Sequence, residues 1–195
     1  NEVFKELNVY FHNKPVIMKE ELGKTINEFN SIDDYDLDDI LKQNLKKMKI
    51  NKLAPIQHRV LSLCNENKDI IGCAQTGSGK TLAFLLPLIN NMLRSGPPEF
   101  KHGFEHEHLI NGMSYPTSLI ISPTRELANQ IYDECLKLCY NTGIVPAVVF
   151  GGEKREIQNM QIQKGVDIVI ATPGRLIDFL NYNIKLKYVE TLVLD

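Results

Sequence analysis

Ile70-Ile71-Gly72-Cys73-Ala74-Gln75-Thr76-Gly77-Ser78-Gly79-Lys80-Thr81 is the stretch on which the fold turns. An apolar run of strand type enters a glycine-rich loop. Leu82, Leu85, Leu86, Ile89 and Leu93 then recur at helical spacing. Glycines let a backbone fold tightly and aim its N–H groups at phosphate oxygens. A lysine at the Lys80 position reaches the β- and γ-phosphates, and a hydroxyl at Thr81 ligates Mg²⁺. The helix that begins there adds its positive end. The usual pattern opens with glycine; here Ala74 holds that place. Strand, loop and helix in this order predict a nucleotide-binding P-loop. Kinases, GTPases, motors and helicases share such a loop, so it does not name a function.

Downstream, short apolar runs alternate with amphipathic ones. Strands are predicted at 70–74, 118–122, 147–150, 167–171 and 191–195, and helices at 55–65, 80–93, 125–140, 153–164 and 173–181. Such alternation predicts an α/β domain, a parallel sheet with helices on both faces. Continuous apolar strands fit burial from both sides. The stretch 94–116 breaks the pattern and carries His102, His106 and His108. A connection that long is a functional or mobile insertion. Its histidines suggest metal, but nothing nearby supplies a fixed set of supporting groups.

Upstream, residues 1–30 show no clean period and read as an extended arm. Asp33, Asp34, Asp36, Asp38 and Asp39 lead into Ile40, Leu41, Leu45 and Met48 at helical spacing, with Lys46, Lys47 and Lys49 at the far end. Acids first and lysines last complement a helix dipole, so the acidic run predicts a helix start. The chain begins with Asn1 rather than Met and reads as a piece of something longer; its first residues lack a signal-peptide profile.

Composition narrows the function classes. Of 195 residues, 43% are hydrophobic and 24% charged, an ordinary globular balance. No apolar run reaches the length of a membrane span. The net charge of −2 excludes a global basic field, so nucleic acid would have to be met through a local patch. Cys64, Cys73, Cys135 and Cys139 form no Cys-x-x-Cys pair. Cys135 and Cys139 share a helical face with Ile131 and Leu138, which predicts buried, reduced thiols.

Six segments, in order, resemble the DEAD-box helicase family: Ala54-Pro55-Ile56-Gln57, Ala74 to Thr81, Pro123-Thr124-Arg125-Glu126-Leu127-Ala128, Gly151-Gly152, Ala171-Thr172-Pro173-Gly174-Arg175 and Leu192-Val193-Leu194-Asp195. Within the family the chain looks most like the Belle and Vasa subgroup. The resemblance implies a RecA-like P-loop domain over 58–195, a Q-motif region over 29–57 and an N-terminal extension over 1–28. It departs from the family at Lys49 (usually Gly), Leu53 (usually Pro) and Ala54 (usually Thr).

The same resemblance implies site residues. Ala74, Gln75, Thr76, Gly77, Ser78, Gly79, Lys80 and Thr81 would bind ATP. Gln57 would choose it over GTP, because its amide offers a donor and an acceptor to the adenine edge. An aromatic residue would stack on the base. The usual spacing lands on Ile32, and Phe29, three residues earlier, is the stacking candidate or else a core anchor. Pro123, Thr124, Arg125, Gly151, Gly152, Thr172, Pro173, Gly174 and Arg175 match positions that meet the RNA sugar-phosphate backbone. Hydroxyls, guanidiniums and helix N-termini are phosphate donors that read no base. Thr172 has a second role open to it, as a helix cap. Asp195 would orient Mg²⁺ through water, completing a catalytic set with Lys80 and Thr81.

These parts imply an ATP-dependent RNA helicase, a hydrolase acting on acid anhydrides. The general base expected after Asp195 and the arginine fingers of a second RecA-like domain are not in the sequence. This stretch should therefore bind ATP or ADP yet barely turn it over. The implied partners are single-stranded or duplex RNA and that second domain, with a monomeric, membrane-free state. The cytoplasm is the expected setting, with nuclear shuttling or RNA granules as alternatives. A non-catalytic ATP-dependent RNA clamp is the rival from another class, and a small-molecule kinase a more distant one.

Overall fold

The computed structural model describes residues 31–64, 69–73, 77–96 and 112–195. The predicted arm, Phe29, Ala74, Gln75, Thr76 and the three histidines of the 94–116 stretch lie outside those residues. The described chain falls into two compact units. One holds the described residues up to Gly96 together with Tyr140–Thr142; the other holds those from 112 to Cys139 and Gly143–Asp195.

The first unit is helical. Ser31 accepts from the Asp33 N–H, and the Asp34 carboxylate accepts from the Ser31 N–H, so a reciprocal cap starts the short 3-10 turn Ile32–Asp34. Asp38 caps helix α1 (Asp39–Lys47) by accepting from the Ile40 N–H. The acidic run holds the predicted start of α1 and, before it, a 3-10 turn that the charge order did not announce. Helix α2 (Pro55–Cys64) packs against helix α3 (Lys80–Ser95). The apolar face of α3 is buried through Leu82, Leu85, Leu86 and Ile89. Asn90, fully buried on the same helix, accepts from the Asp38 N–H at 2.8 Å, and Arg94 pairs with Asp36. The cap of α1 is thereby tied to α3.

His58 is buried with its Nδ1 3.1 Å from the Tyr35 hydroxyl, the two rings edge to face. Burial and then the Arg59 charge lower its pKa. A group whose folded pKa is depressed adds stability above its unfolded value, near 6.5, and loses it as pH falls through the folded value. Unfolding free energy should therefore fall as pH drops below about 6.5. His58→Gln should flatten part of that fall; denaturant titration at several pH values reads the difference, and an identical slope in the variant would contradict it.

The second unit is a parallel four-stranded sheet in the order β2-β3-β1-β4. Its strands are β1 (Ser118–Ile121), β2 (Pro146–Val149), β3 (Ile168–Ala171) and β4 (Thr191–Leu194). Helices α4 (Arg125–Leu138), α5 (Arg155–Ile162) and α6 (Pro173–Leu180) alternate with them. Successive strand side chains point to opposite faces. Leu119, Ala147, Val149, Val169 and Ala171 join a core with Ile162 of α5 and with Leu176 and Phe179 of α6. Ile120, Val148, Ile168 and Ile170 are buried on the other face, and α4 packs on β2 and β3. Both faces of the inner strands are covered, which is why they read as unbroken apolar runs. β4 is only half-buried, at the sheet edge.

Four of the five predicted strands form, each within a residue or two of its expected ends. The fifth does not. Ile70–Cys73 hold no strand, and Ile71 is 79% exposed. A strand exists by hydrogen bonding to a neighbour, and none of the four described strands lends these residues a ladder. Apolar character alone was not enough to order them.

The thiols behave as their spacing predicts. Ile131, Cys135 and Leu138 are fully buried on α4, and all four cysteines are free. Cys135 and Cys139 sulfurs stand 3.9 Å apart. That contact, and burial after it, push the Cys135 thiol far above its usual range and keep it protonated.

Candidate functional site

The described end of the glycine-rich loop is Gly77-Ser78-Gly79-Lys80-Thr81. Gly79 is the N-cap of α3 with φ +85°, in the left-handed region where a side chain is strained. It is also approached closely, since a Cβ there would lie 2.3 Å from Gln57 Nε2. The N-cap Gly79 offers no side chain to cap α3. Ser78 Oγ is buried without a hydrogen-bond partner. A buried hydroxyl beside a helix N-terminus suits a phosphate group, which supplies only acceptors.

Gln57 sits on α2, behind Pro55 at its first position. It is 6% exposed. Its Oε1 accepts from the Ala54 N–H at 2.8 Å and its Nε2 donates to the Gly79 carbonyl at 3.1 Å. The amide expected to read a base edge is therefore also a brace between the start of α2 and the loop. One Nε2 hydrogen and one Oε1 lone pair remain for a ligand. A cleft of about 490 Å³ is lined by Gln57, Gly77, Ser78 and Gly79, with Lys49 and Lys52 on its wall. Lys49 stands at φ +61°. That is the left-handed region that favours glycine, held here by a lysine at a cost of about 1 kcal/mol. The sequence singled out Lys49 as a departure; its place on the cleft was not legible. Ile32, where the usual spacing puts an aromatic, is fully buried in the core.

The other candidate residues gather along one edge of the sheet. Hydrogen bonds from Ser122 N to Ala171 O, Thr172 N to Val149 O and Asp195 N to Ile121 O carry the ladder just past the strand ends. Pro123–Arg125, Gly151–Gly152, Thr172–Arg175 and Asp195 follow directly, all at the carboxyl edge where parallel sheets meet ligands. Thr124 caps α4, its hydroxyl accepting from the Leu127 N–H at 3.2 Å. Thr172 occupies the cap position of α6, ahead of Pro173, but its hydroxyl makes no cap bond. Of the two roles open to Thr172, the side-chain cap is not taken. Thr124, Arg125, Pro173, Gly174, Gly151, Gly152 and Asp195 are exposed.

The two arginines differ. The Arg125 guanidinium lies over the Phe150 ring, 4.7 Å from its centre. Gly152 lies beside it at φ +84°, a backbone shape in which a side chain is strained. Arg175 is largely tied inward. One nitrogen donates to the Glu153 carbonyl at 3.1 Å and Nε lies 3.7 Å from Asp178, while its remaining terminal nitrogen is buried and unpartnered. The sequence offered both as equal phosphate contacts; Arg175 is mainly a brace with one donor to spare. The supports Phe150, Glu153 and Gln158 were missed. Gln158 left one trace, a polar residue one turn before buried Ile162 on the inward face of α5.

Among the described residues no group of histidine, cysteine or acidic side chains could hold a metal by itself. Lys80 and Thr81 belong to the helical unit and Asp195 to the sheet unit.

Comparisons with known proteins bear on the family and the fold. Residues 54–195 match the model for the DEAD/DEAH box helicase family. The probable ATP-dependent RNA helicase ddx3 of Dictyostelium discoideum is 40% identical over 167 residues, 85% of this chain and 23% of that protein. The yeast DEAD-box splicing factor Prp28 superposes with a TM-score of 0.71 at 33% identity, over 89% of this chain and 40% of its own. The RNA helicase Prp28 from Chaetomium thermophilum, solved with ADP, gives 0.70 at 29%, over 88% of this chain and 39% of its own. A DEAD box protein from Methanococcus jannaschii gives 0.67 at 30%, covering 86% of this chain and 42% of that one. The chain thus spans less than half of each relative.

Proposed function

We propose, for a chain that belongs to the DEAD/DEAH box helicase family, that it is the ATP-binding first domain of an ATP-dependent RNA helicase. ATP would be held by Gly77 to Thr81, with Ala74, Gln75 and Thr76 completing the loop. Gln57 would read the adenine edge, with Phe29 the candidate to stack on it. The observation that carries this reading is the Gln57–Gly79 hydrogen bond. It sets a base-reading amide against the last glycine of a phosphate loop, beside a cleft large enough for a nucleotide. ADP in the Chaetomium relative supports the same ligand class.

The residues fit the implied groups. The N-terminus of α3 and the unpartnered Ser78 hydroxyl would supply donors for phosphate oxygens. Thr81 would supply an oxygen ligand of the kind Mg²⁺ prefers. Bound there, Mg²⁺ would neutralise charge on the phosphates. Lys80 would grip the β- and γ-oxygens. RNA would run along the carboxyl edge of the sheet, held by Thr124, Arg125, Gly152 and the free Thr172 hydroxyl. These groups touch backbone and not bases, so sequence preference should be weak. Coupling to unwinding is assigned to the intact protein together with a second RecA-like domain. The division into 29–57 and 58–195, and the likeness to the Belle and Vasa subgroup, are parts of this reading.

RNA-stimulated ATPase of the intact protein, with these 195 residues alone as control, tests it. Stimulation is expected only in the intact protein; none there would overturn the reading. Arg125→Ala should weaken unrelated RNA sequences about equally and make the log–log salt slope shallower by about one. A loss confined to certain sequences would contradict a backbone contact.

A further inference from the structure

The turn from Phe150 to Glu153 is where the candidate RNA-contacting segments meet. Arg125 lies over the Phe150 ring and closes on Gly152. Arg175 donates to the Glu153 carbonyl. Beneath the turn lies Gln158 of α5, 2% exposed. Its Oε1 accepts from the Phe150 N–H at 3.2 Å, and its Nε2 donates to the Phe150 carbonyl at 3.0 Å. The same Nε2 stands 3.4 Å from a Glu153 carboxylate oxygen. Phe150 lies one residue past the end of β2, so a side chain takes over the backbone pairing where the strand stops.

We infer that Gln158 is a positioning residue for RNA binding. It touches no RNA. It fixes both backbone groups of Phe150, and with them the ring that carries the Arg125 guanidinium and the Gly151–Gly152 backbone that follows. The inference rests on the proposed RNA track along this edge. The chemistry asks for an amide: one planar group must accept from an N–H and donate to a C=O a few ångströms apart. An ionised carboxylate offers acceptors only and would face the Phe150 carbonyl without a proton. A protonated carboxylic acid restores the donor.

Gln158→Glu is therefore a chemical switch at this position. The introduced carboxyl would be buried beside the Glu153 carboxylate, and both conditions favour its protonated form. The other charges around it are Arg125 above the turn, Arg175 and Asp178 on α6, and Arg155 on α5, which pairs with Asp178. These are present in the unsubstituted protein too, so the ratio of variant to wild type isolates position 158.

The test is the affinity of the intact protein for one single-stranded RNA oligonucleotide, with a non-hydrolysable ATP analogue, from about pH 5.5 to 9. Those limits bracket a raised carboxyl pKa. Gln158→Glu should match wild type at the acid end and bind about tenfold or more weaker at the alkaline end, the ratio expected when a buried polar pair is lost. Gln158→Met, similar in size with neither donor nor acceptor, should be weakened by a similar factor at every pH. Wild-type affinity in Gln158→Met, or a Gln158→Glu ratio that does not move with pH, overturns the inference. So does loss of the cooperative thermal transition in both variants, because Gln158 would then hold the domain and not the turn. Arg125→Ala separates the two layers. If it leaves RNA affinity unchanged, the RNA track itself fails. If it weakens binding while both Gln158 variants match wild type, only the positioning role fails.

Discussion

Lys80→Ala is expected to weaken ATP binding by the intact protein by about ten- to a hundredfold and to abolish RNA-stimulated hydrolysis. Hydrogen bonds to charged groups are worth about 1.5–3 kcal/mol, and each 1.4 kcal/mol is a factor of ten. Lys80 is the first residue of α3, half-buried and outside the buried apolar face of that helix. Its loss should leave the unfolding transition close to wild type, so weaker binding can be read as lost phosphate contact. The neighbouring donors, the first-turn amides and Ser78, are still present in the variant and explain why some affinity should remain. Hydrolysis should suffer more than binding, because charge on the transferring phosphoryl group is what the lysine balances in the transition state. Lys80→Arg should not restore turnover: a planar fork does not fill the place of a compact ammonium. Titration with a fluorescent nucleotide and a phosphate-release assay measure the two effects. Unchanged ATP affinity in Lys80→Ala would remove Lys80 from the site.

How far the sequence could be read depends on the range of the force involved. Helix starts are local, so the acidic run opens α1 at Asp38 as its charge order predicts, while Ser31 and Thr124 cap by the same short-range chemistry. The inner strands were legible because burial on both faces leaves an unbroken apolar run, as in Ile168–Ala171. The failure at 70–73 has the complementary cause. Ile70-Ile71 is as apolar as a strand should be, but pairing is a property of two segments, and a single run cannot report its neighbour. Site residues divide the same way. Lys80 and Thr81 open α3 where helical spacing predicts, and the carboxyl-edge turns follow from the order of strands and helices in the sheet unit. The inward ties of Arg175 to Glu153 and Asp178, and the grip of Gln158 on Phe150, depend on side chains brought together by the sheet. No spacing rule announces them. Lys49 was visible as a departure, but its left-handed backbone and its place on the cleft needed the fold.

Gln57 is the residue whose reading the structure altered most, and the consequence is a variant with two separable effects. Gln57→Ala should erode the preference for ATP over GTP by about ten- to a hundredfold, from the roughly 1–3 kcal/mol that a bidentate amide–adenine pair supplies. Adenine offers a donor and an acceptor on the edge where guanine offers two acceptors, and an amide complements only the first. Gln57 is also buried, and its loss leaves the Ala54 N–H and the Gly79 carbonyl without their partner. That should cost about 1–3 kcal/mol of stability in the helical unit even without nucleotide. Base reading alone predicts lost discrimination with an unchanged unfolding transition. Bracing alone predicts lower stability and equal weakening of ATP and GTP. Both together are expected, because the amide has one hydrogen and one lone pair beyond those it spends on Ala54 and Gly79. Gln57→Glu sharpens the distinction: its carboxylate keeps the bond from the Ala54 N–H but has no proton for the Gly79 carbonyl or for adenine N7. It should therefore lose most of the ATP preference, and burying its charge against the Gly79 carbonyl should cost at least as much stability as Gln57→Ala. Competition of ATP and GTP for the same fluorescent nucleotide, with denaturant unfolding of the nucleotide-free protein, gives both numbers. An unchanged ATP-to-GTP ratio in both variants would leave Gln57 as a brace for the loop and take base selection away from it.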